Sequence, residues 1–130
     1  MFPDMDRERF EALVARAMEH LPPEFQQKLE NVDIVIQDWP TDFQLRRARL
    51  TSRAQLLGLY EGVPLTRRGR SYGLVLPDKI SIFQKAIEAR CRSESGVEAL
   101  VGEVVLHELA HHFGLDDRTL RQIERKRRPL

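Results

Sequence analysis

Apolar positions near the start of the chain recur at steps of three and four residues, which is the spacing of one face of a helix. Asp4 or Asp6 can cap the start of this helix. Pro22 and Pro23 end it and begin a short second helix, from about Glu24 to Leu29. The apolar face consists of Phe10, Leu13, Val14, Ala17 and Met18.

Alternation of apolar and polar residues then replaces the helical spacing. The run from Val32 to Ile36 predicts a strand with one face more apolar than the other. Residues 41–56 fit a charged helix and a loop equally well. A further helix is predicted at Gln84–Cys91. Short strands are predicted at Leu56–Tyr60, with Gly58 and Gly62 as breaks, and at Leu74–Leu76 and Lys79–Phe83.

The second half of the chain contains the clearest helix, from Val97 to Phe113, which has no proline. Its apolar residues wrap most of the circumference, and a helix that is apolar on most sides is a buried helix. Ser93 or Ser95 can cap it, and Glu98 stands at capping-box spacing from Ser95.

A stop at Gly114 separates this helix from a last one, which Asp116 or Asp117 opens and which runs to about Arg127. Helices at both ends with short strands between them predict an α+β fold. Because the chain has 130 residues and no long linker, we expect one domain over residues 1–130.

The composition narrows the class of protein. The 21 basic and 20 acidic residues give a formal charge of +1, which excludes a strongly basic nucleic-acid binder. Cys91 is the only cysteine, so no intrachain disulfide indicates an oxidising compartment. No membrane-spanning run or export signal is visible. We therefore expect a cytoplasmic protein without nucleic-acid or membrane partners, and the sequence does not define its oligomeric state.

Ionisable residues cluster in the otherwise apolar second-half helix, where three of the four histidines fall within six residues. Residues four apart lie on one helical face, so His107 and His111 can direct two imidazole nitrogens at one zinc ion. Glu108 is one step round the helix, from where it can reach a metal-activated water as a general base without becoming a ligand. The spacing HELAH (107–111) is the zinc-protease pattern.

A catalytic zinc site needs a third protein ligand. Gly114 permits the chain to turn back toward the metal after His111, and Asp117 follows three residues later. This is the ligand spacing of the metzincin pattern, with Asp in place of the usual His. Asp117 is therefore the predicted third ligand and Asp116 the alternative. The short tail that contains Glu124 leaves little room for a thermolysin-like third ligand.

Three other side chains are weaker candidates. His112 is one step from His111 and points elsewhere, so we expect it to support the site or lie at the surface. Tyr60 or Tyr72 could donate to an oxyanion, although core packing is the favoured interpretation. The structural alternative for the whole cluster is a charged helix end beside a cavity, with its histidines bonded to backbone.

The segment HELAHHFGLDD (107–117) resembles the minimal zincin-like metallopeptidase family of bacteria. The similarity extends to LP-x-x-F at 21–25, LLGLYEGVPLTRRG at 56–69 and PDKISIF at 77–83. The resemblance implies a reduced zincin fold, in which a small mixed sheet packs on the active-site helix and an edge strand can pair with an extended peptide. It implies no defined substrate.

The resemblance also implies a role for each residue of the cluster. It implies zinc ligands at His107, His111 and Asp117, with Glu108 as the general base. The later methionine-containing turn of full metzincins is absent, since the methionines are residues 1, 5 and 18.

The leading hypothesis is a zinc-dependent metallopeptidase that acts on a peptide or protein substrate. The strand at 79–83 or at 56–60 would be the edge strand that holds the substrate. A metal-dependent endoribonuclease is the second hypothesis; one bacterial RNA-maturation family has three histidines at these offsets but no Glu after the first, so Glu108 argues against it. The third is a non-catalytic metal-binding module that acts through protein contacts.

Overall fold

The computed structural model describes residues 5–62 and 78–114, together with Arg118, Arg121, Gln122 and Arg125. The strand predicted at 74–76 and most of the last predicted helix lie outside these residues. The helices are α1 (Arg7–Glu19), α2 (Pro23–Lys28), α3 (Asp42–Arg47), α4 (Gln84–Glu88) and α5 (Glu94–His112). The strands are β1 (Val32–Gln37), β2 (Gly58–Glu61) and β3 (Asp78–Phe83), and short 3-10 turns lie at Leu29–Asn31 and Arg53–Gln55.

Capping side chains set where the helices begin. The Asp6 carboxylate accepts a hydrogen bond from the Arg9 N–H at 2.8 Å, which confirms one of the two predicted caps of α1. Ser93 caps α5 by accepting from the Gly96 N–H at 3.1 Å. The helix therefore begins at Glu94, three residues before the predicted start, and the predicted capping box of Ser95 and Glu98 is wrong because both residues lie inside the helix.

The stretch that the pattern left undecided contains α3. Thr41 and Gln44 form a capping box, because the Gln44 N–H donates to the Thr41 hydroxyl and the Gln44 side chain accepts from the Thr41 N–H. The helix ends at Arg47, and Arg49 then adopts a left-handed backbone with φ of 59°. The segment is thus a short capped helix followed by a turn.

The described strands form one mixed sheet in the order β1-β3-β2. β3 is central, parallel to β1 and antiparallel to β2, with Ile80 opposite both Ile34 and Tyr60. The prediction that 79–83 could be an edge strand is therefore wrong, because both of its sides are paired. Within the part of the chain that the structure describes, β2 and β1 are the edges.

The two faces of the sheet pack against different layers. Ile34, Ile36, Ile80 and Ile82 face the main core, which α1 and α5 complete. Phe83 lies in a smaller cluster on the other face, beneath α3 and the turn that follows it. This arrangement is a small α+β fold, and it holds α5 between α1 and the sheet. None of the described helices is both long and apolar enough to cross a membrane.

A buried polar pair fastens the start of α1 to α4. The Gln84 side chain donates to the Met5 carbonyl at 2.9 Å, and the Glu88 carboxylate accepts from the Met5 N–H at 3.1 Å. Gln84 also accepts from the Arg7 guanidinium at 2.7 Å. Because these buried polar groups all have partners, they cost little to desolvate and they fix the position of α1.

Gly58 lets β2 approach α5 closely, so it begins the strand and is not the break that the sequence predicts. A Cβ built on Gly58 would lie 2.5 Å from Cγ1 of Val104 and 3.2 Å from the Ser81 carbonyl oxygen. Gly102, in the middle of α5, is different, because its Cβ would meet only the Cβ of Ala17, at 4.0 Å. Glycine is required at the first position for space and is not required at the second.

We expect Gly58→Ala to destabilise the protein by about 1–3 kcal/mol, since the added methyl forces β2 away from a β-branched side chain. We expect Gly102→Ala to stabilise it by about 0.5–1 kcal/mol, because alanine is the better helix former and the space is open. Denaturant unfolding of the two variants checks both signs. Val104→Ala should remove the clash in the Gly58→Ala variant. The double variant should therefore lose less stability than the sum of the two single variants, and additive losses would contradict the steric explanation.

Candidate active site

The last two turns of α5 carry the histidines on a solvent-facing side of the helix. His107 and His111 are both exposed, and their ring centroids lie 6.2 Å apart with the ring planes tilted by 56°. Gly114 follows with φ of 73°, which confirms the predicted stop after the helix. The structure thus brings the first two predicted ligands together, one helical turn apart, at the point where the helix ends.

The expectation of a wholly buried helix is wrong at this end. Most apolar residues of α5 are in the core, whereas both imidazoles are open to solvent. Glu108, in contrast, is half-buried on the side of the helix that faces β2, so its carboxylate is partly removed from water.

A main-chain hydrogen bond from the sheet holds the Glu108 carboxylate. Its Oε1 accepts from the N–H of Tyr60, on edge strand β2, at 2.8 Å. Burial raises the pKa of Glu108 above its ordinary value, while the Tyr60 N–H and the two neighbouring imidazoles oppose that shift. Within the described residues Oε2 makes no hydrogen bond, so among these contacts only Oε1 is anchored.

His112 points away from His107 and His111, as the sequence predicts. Its ring stacks on the ring of Tyr60, with centroids 3.9 Å apart and planes within 13°. The Tyr60 hydroxyl donates to Oδ2 of Asp78 at 2.7 Å. Tyr60 therefore does more than fill the core, since its backbone, ring and hydroxyl each contact a different polar group. The i, i+4 spacing of Glu108 and His112 is the sequence signal that could have indicated this shared face.

A cavity of about 280 Å³ opens beside Glu108, between α5 and the chain that leads into β2. Its walls are mainly apolar, and the exposed Glu103 carboxylate stands among the lining residues. His107 and Glu108 also line the cavity. A group bound there would lie next to the candidate catalytic side chains. The apolar lining residues are Leu56, Leu57, Leu100 and Val104.

The described residues include two side chains of a kind that ligates metals, His107 and His111. Two exposed imidazoles one turn apart suit zinc, which takes neutral histidine nitrogens at about 2.0–2.1 Å. Among the described residues, no three His, Cys, Asp or Glu side chains are grouped so as to hold a metal ion. Both predicted third ligands, Asp117 and Asp116, lie outside the described residues. His107 and His111 are therefore the two described side chains that suit a metal ion.

Two histidines on one helical face, beside a carboxylate fixed to the edge of a sheet, define a candidate metallohydrolase site of the HExxH type. A model of the zincin-like metallopeptidase family matches residues 29–127, and the chain belongs to that family. The match includes the sheet, α5 and the whole HELAHHFGLDD segment. Membership implies a metal-dependent hydrolase. No curated protein matches the sequence.

We expect Glu108→Ala to raise the hydrogen-exchange rate of the Tyr60 amide by about tenfold or more, because the N–H loses a charged acceptor. Glu108→Gln keeps a side-chain carbonyl and should raise the rate much less. Amide exchange measured by NMR on both variants checks this. Equal exchange in the alanine variant and the wild type would show that the bond does not form in solution.

Proposed function

We propose that this protein is a zinc-dependent peptidase in which Glu108 is the general base. The observation that carries the proposal is the anchoring of the Glu108 carboxylate on the edge strand, one residue from the exposed His107. Oε1 of Glu108 is hydrogen-bonded, whereas Oε2 has no hydrogen-bond partner among the described residues and could accept a proton.

His107, His111 and Asp117 would hold the metal. A bound zinc ion would supply a Lewis acid that polarises the scissile carbonyl and makes a water molecule easier to deprotonate. Asp117 is proposed as the third ligand on spacing, since carboxylate oxygen suits zinc and Gly114 already turns the backbone after the helix.

Glu108 would carry the proton through the reaction. Its Oε2 accepts a proton from the attacking water, while the oxygen of that water forms a bond to the peptide carbonyl carbon. The carbon–nitrogen bond then breaks, and Glu108 delivers the same proton to the leaving amine. Burial of the carboxylate helps the first transfer, because it raises the pKa of Glu108 and makes the carboxylate a stronger base.

The edge of β2 would bind the substrate. The Tyr60 N–H points away from β3 and toward Glu108, so the outer side of β2 runs along the candidate site. An extended peptide can pair with such an edge and place one side chain in the neighbouring cavity, whose apolar walls favour an apolar side chain. A peptide or protein segment in the cytoplasm, where a lone cysteine stays reduced, is the proposed substrate.

Glu108→Gln should abolish hydrolysis of casein or of a mixed peptide library by the zinc-loaded protein and leave zinc affinity within about threefold. The substitution keeps the shape of the side chain and removes its basicity. Product release and equilibrium dialysis measure the two quantities. A glutamine variant as active as the wild type would rule out the base assignment, and cleavage of ribosomal RNA without cleavage of peptides would indicate a nuclease.

The ligand set gives a separate expectation. Alanine at His107, His111 or Asp117 should lower zinc affinity by about 100-fold or more, because a catalytic site has only three protein ligands to lose. His20, the C-cap residue of α1, is not a proposed ligand and provides the matched histidine control. The His20→Ala variant should bind zinc as the wild type does. Asp116→Ala controls for Asp117, and a greater loss of affinity at Asp116 would reverse that assignment.

A further inference from the structure

Two residues of α5 contact the same residue of β2, Tyr60. Glu108 accepts the backbone N–H of Tyr60 at 2.8 Å, and His112, one turn later, stacks on the Tyr60 ring at a centroid distance of 3.9 Å. Residues four apart share a helical face, so Glu108 and His112 form one row along α5 and His107 and His111 form the neighbouring row. One face of the helix thus carries the proposed ligands, and the next face holds the edge strand.

Asp78 anchors the far end of the Tyr60 side chain. The Tyr60 hydroxyl donates to its Oδ2 at 2.7 Å, and Nε2 of His112 lies 4.0 Å from the same oxygen, beyond hydrogen-bonding distance. Asp78 is the first residue of central strand β3, which pairs with β2. The aromatic ring is therefore tied to the middle of the sheet at its hydroxyl and covered by the helix on one face.

These contacts determine the direction of the N–H that holds the base. The backbone of Tyr60 cannot turn without moving a ring that is fixed by Asp78 and by His112. An edge strand is paired on one side only, so its outer side depends on side-chain contacts for its position. The distance between β2 and the last turns of α5 is set by the ring stack together with the hydrogen bond to Glu108.

We propose that Tyr60, His112 and Asp78 form a brace of positioning residues that orients the Glu108 carboxylate for proton transfer. The proposal rests on the proposed function, in which Glu108 is the base. The side-chain groups of the brace are neither proposed metal ligands nor part of the backbone edge proposed to pair with the substrate, so they act on turnover and leave metal binding and substrate affinity nearly unchanged. Groups that orient a catalytic residue in this way are commonly worth about 10- to 100-fold in activity.

The hydroxyl arm of the brace is tested by a double-variant cycle. Tyr60→Phe should lower kcat about tenfold on casein-derived peptides, with KM and zinc affinity within about twofold of wild type. The same substitution made in an Asp78→Ala background should lower kcat by less than about twofold, since the hydrogen bond to Asp78 is then already lost. If the two substitutions lower kcat independently, so that their effects multiply, the Tyr60–Asp78 hydrogen bond is not part of the brace.

The stacking arm is tested by a conservative rescue at His112. Phenylalanine retains a flat ring for Tyr60, whereas alanine does not, so His112→Phe should keep kcat within about threefold of wild type and His112→Ala should lower it about tenfold. If both variants fail equally, the stack is not what matters and the proposal is wrong. Denaturant unfolding of both variants separates these effects from loss of fold.

A second readout keeps the brace testable without any turnover. Hydrogen exchange of the Tyr60 amide should be about tenfold faster in His112→Ala and in Tyr60→Phe, and close to wild type in His112→Phe. If the zinc-loaded wild type cleaves no peptide, the proposed function fails, and this measurement still decides whether the brace holds Glu108. Unchanged exchange in all three variants would overturn the brace.

Discussion

The hydrogen bond from the Tyr60 N–H to the Glu108 carboxylate is the contact on which the site depends. A carboxylate on an otherwise apolar helix must be satisfied or exposed, and this one is half-buried with a main-chain donor from the sheet. The bond joins the helix that carries HELAH to the strand that borders it. Without it, the described contacts would not define the direction of the carboxylate.

The rest of the fold brings these two elements together. The apolar faces of α1 and the sheet pack against α5 along most of its length, while the side of the helix that carries Glu103, His107 and His111 reaches solvent. Because Gly58 has no side chain, β2 can approach α5 closely, and Val104 lies where the Cβ of a larger residue would be. The packing between strand and helix is tight at Gly58, where the strand begins, and polar at Glu108. The cavity opens along the same boundary between strand and helix, which places it beside Glu108.

The sequence predicts the helix of HELAH, its stop at Gly114, strand β1 and the cap of α1, because each depends on local spacing or on one capping side chain. The position of β3 in the centre of the sheet could not be predicted, since strand order depends on contacts between distant segments. The exposure of His107 and His111 could not be predicted either, because a helix apolar on most sides gives no direction to its polar end. The role of Tyr60 depends on Asp78 and His112, which are distant in sequence.

The region matched by the family begins at residue 29, whereas α1 lies before it and packs along α5. The backbone of Met5 is fastened to Gln84 and Glu88, within the matched region, so this helix is an integral layer of the core. The limits of the homologous segment and the limits of the cooperative folding unit are therefore different. A fragment cut at the family boundary would leave the inner side of the histidine-bearing helix bare and prone to aggregation.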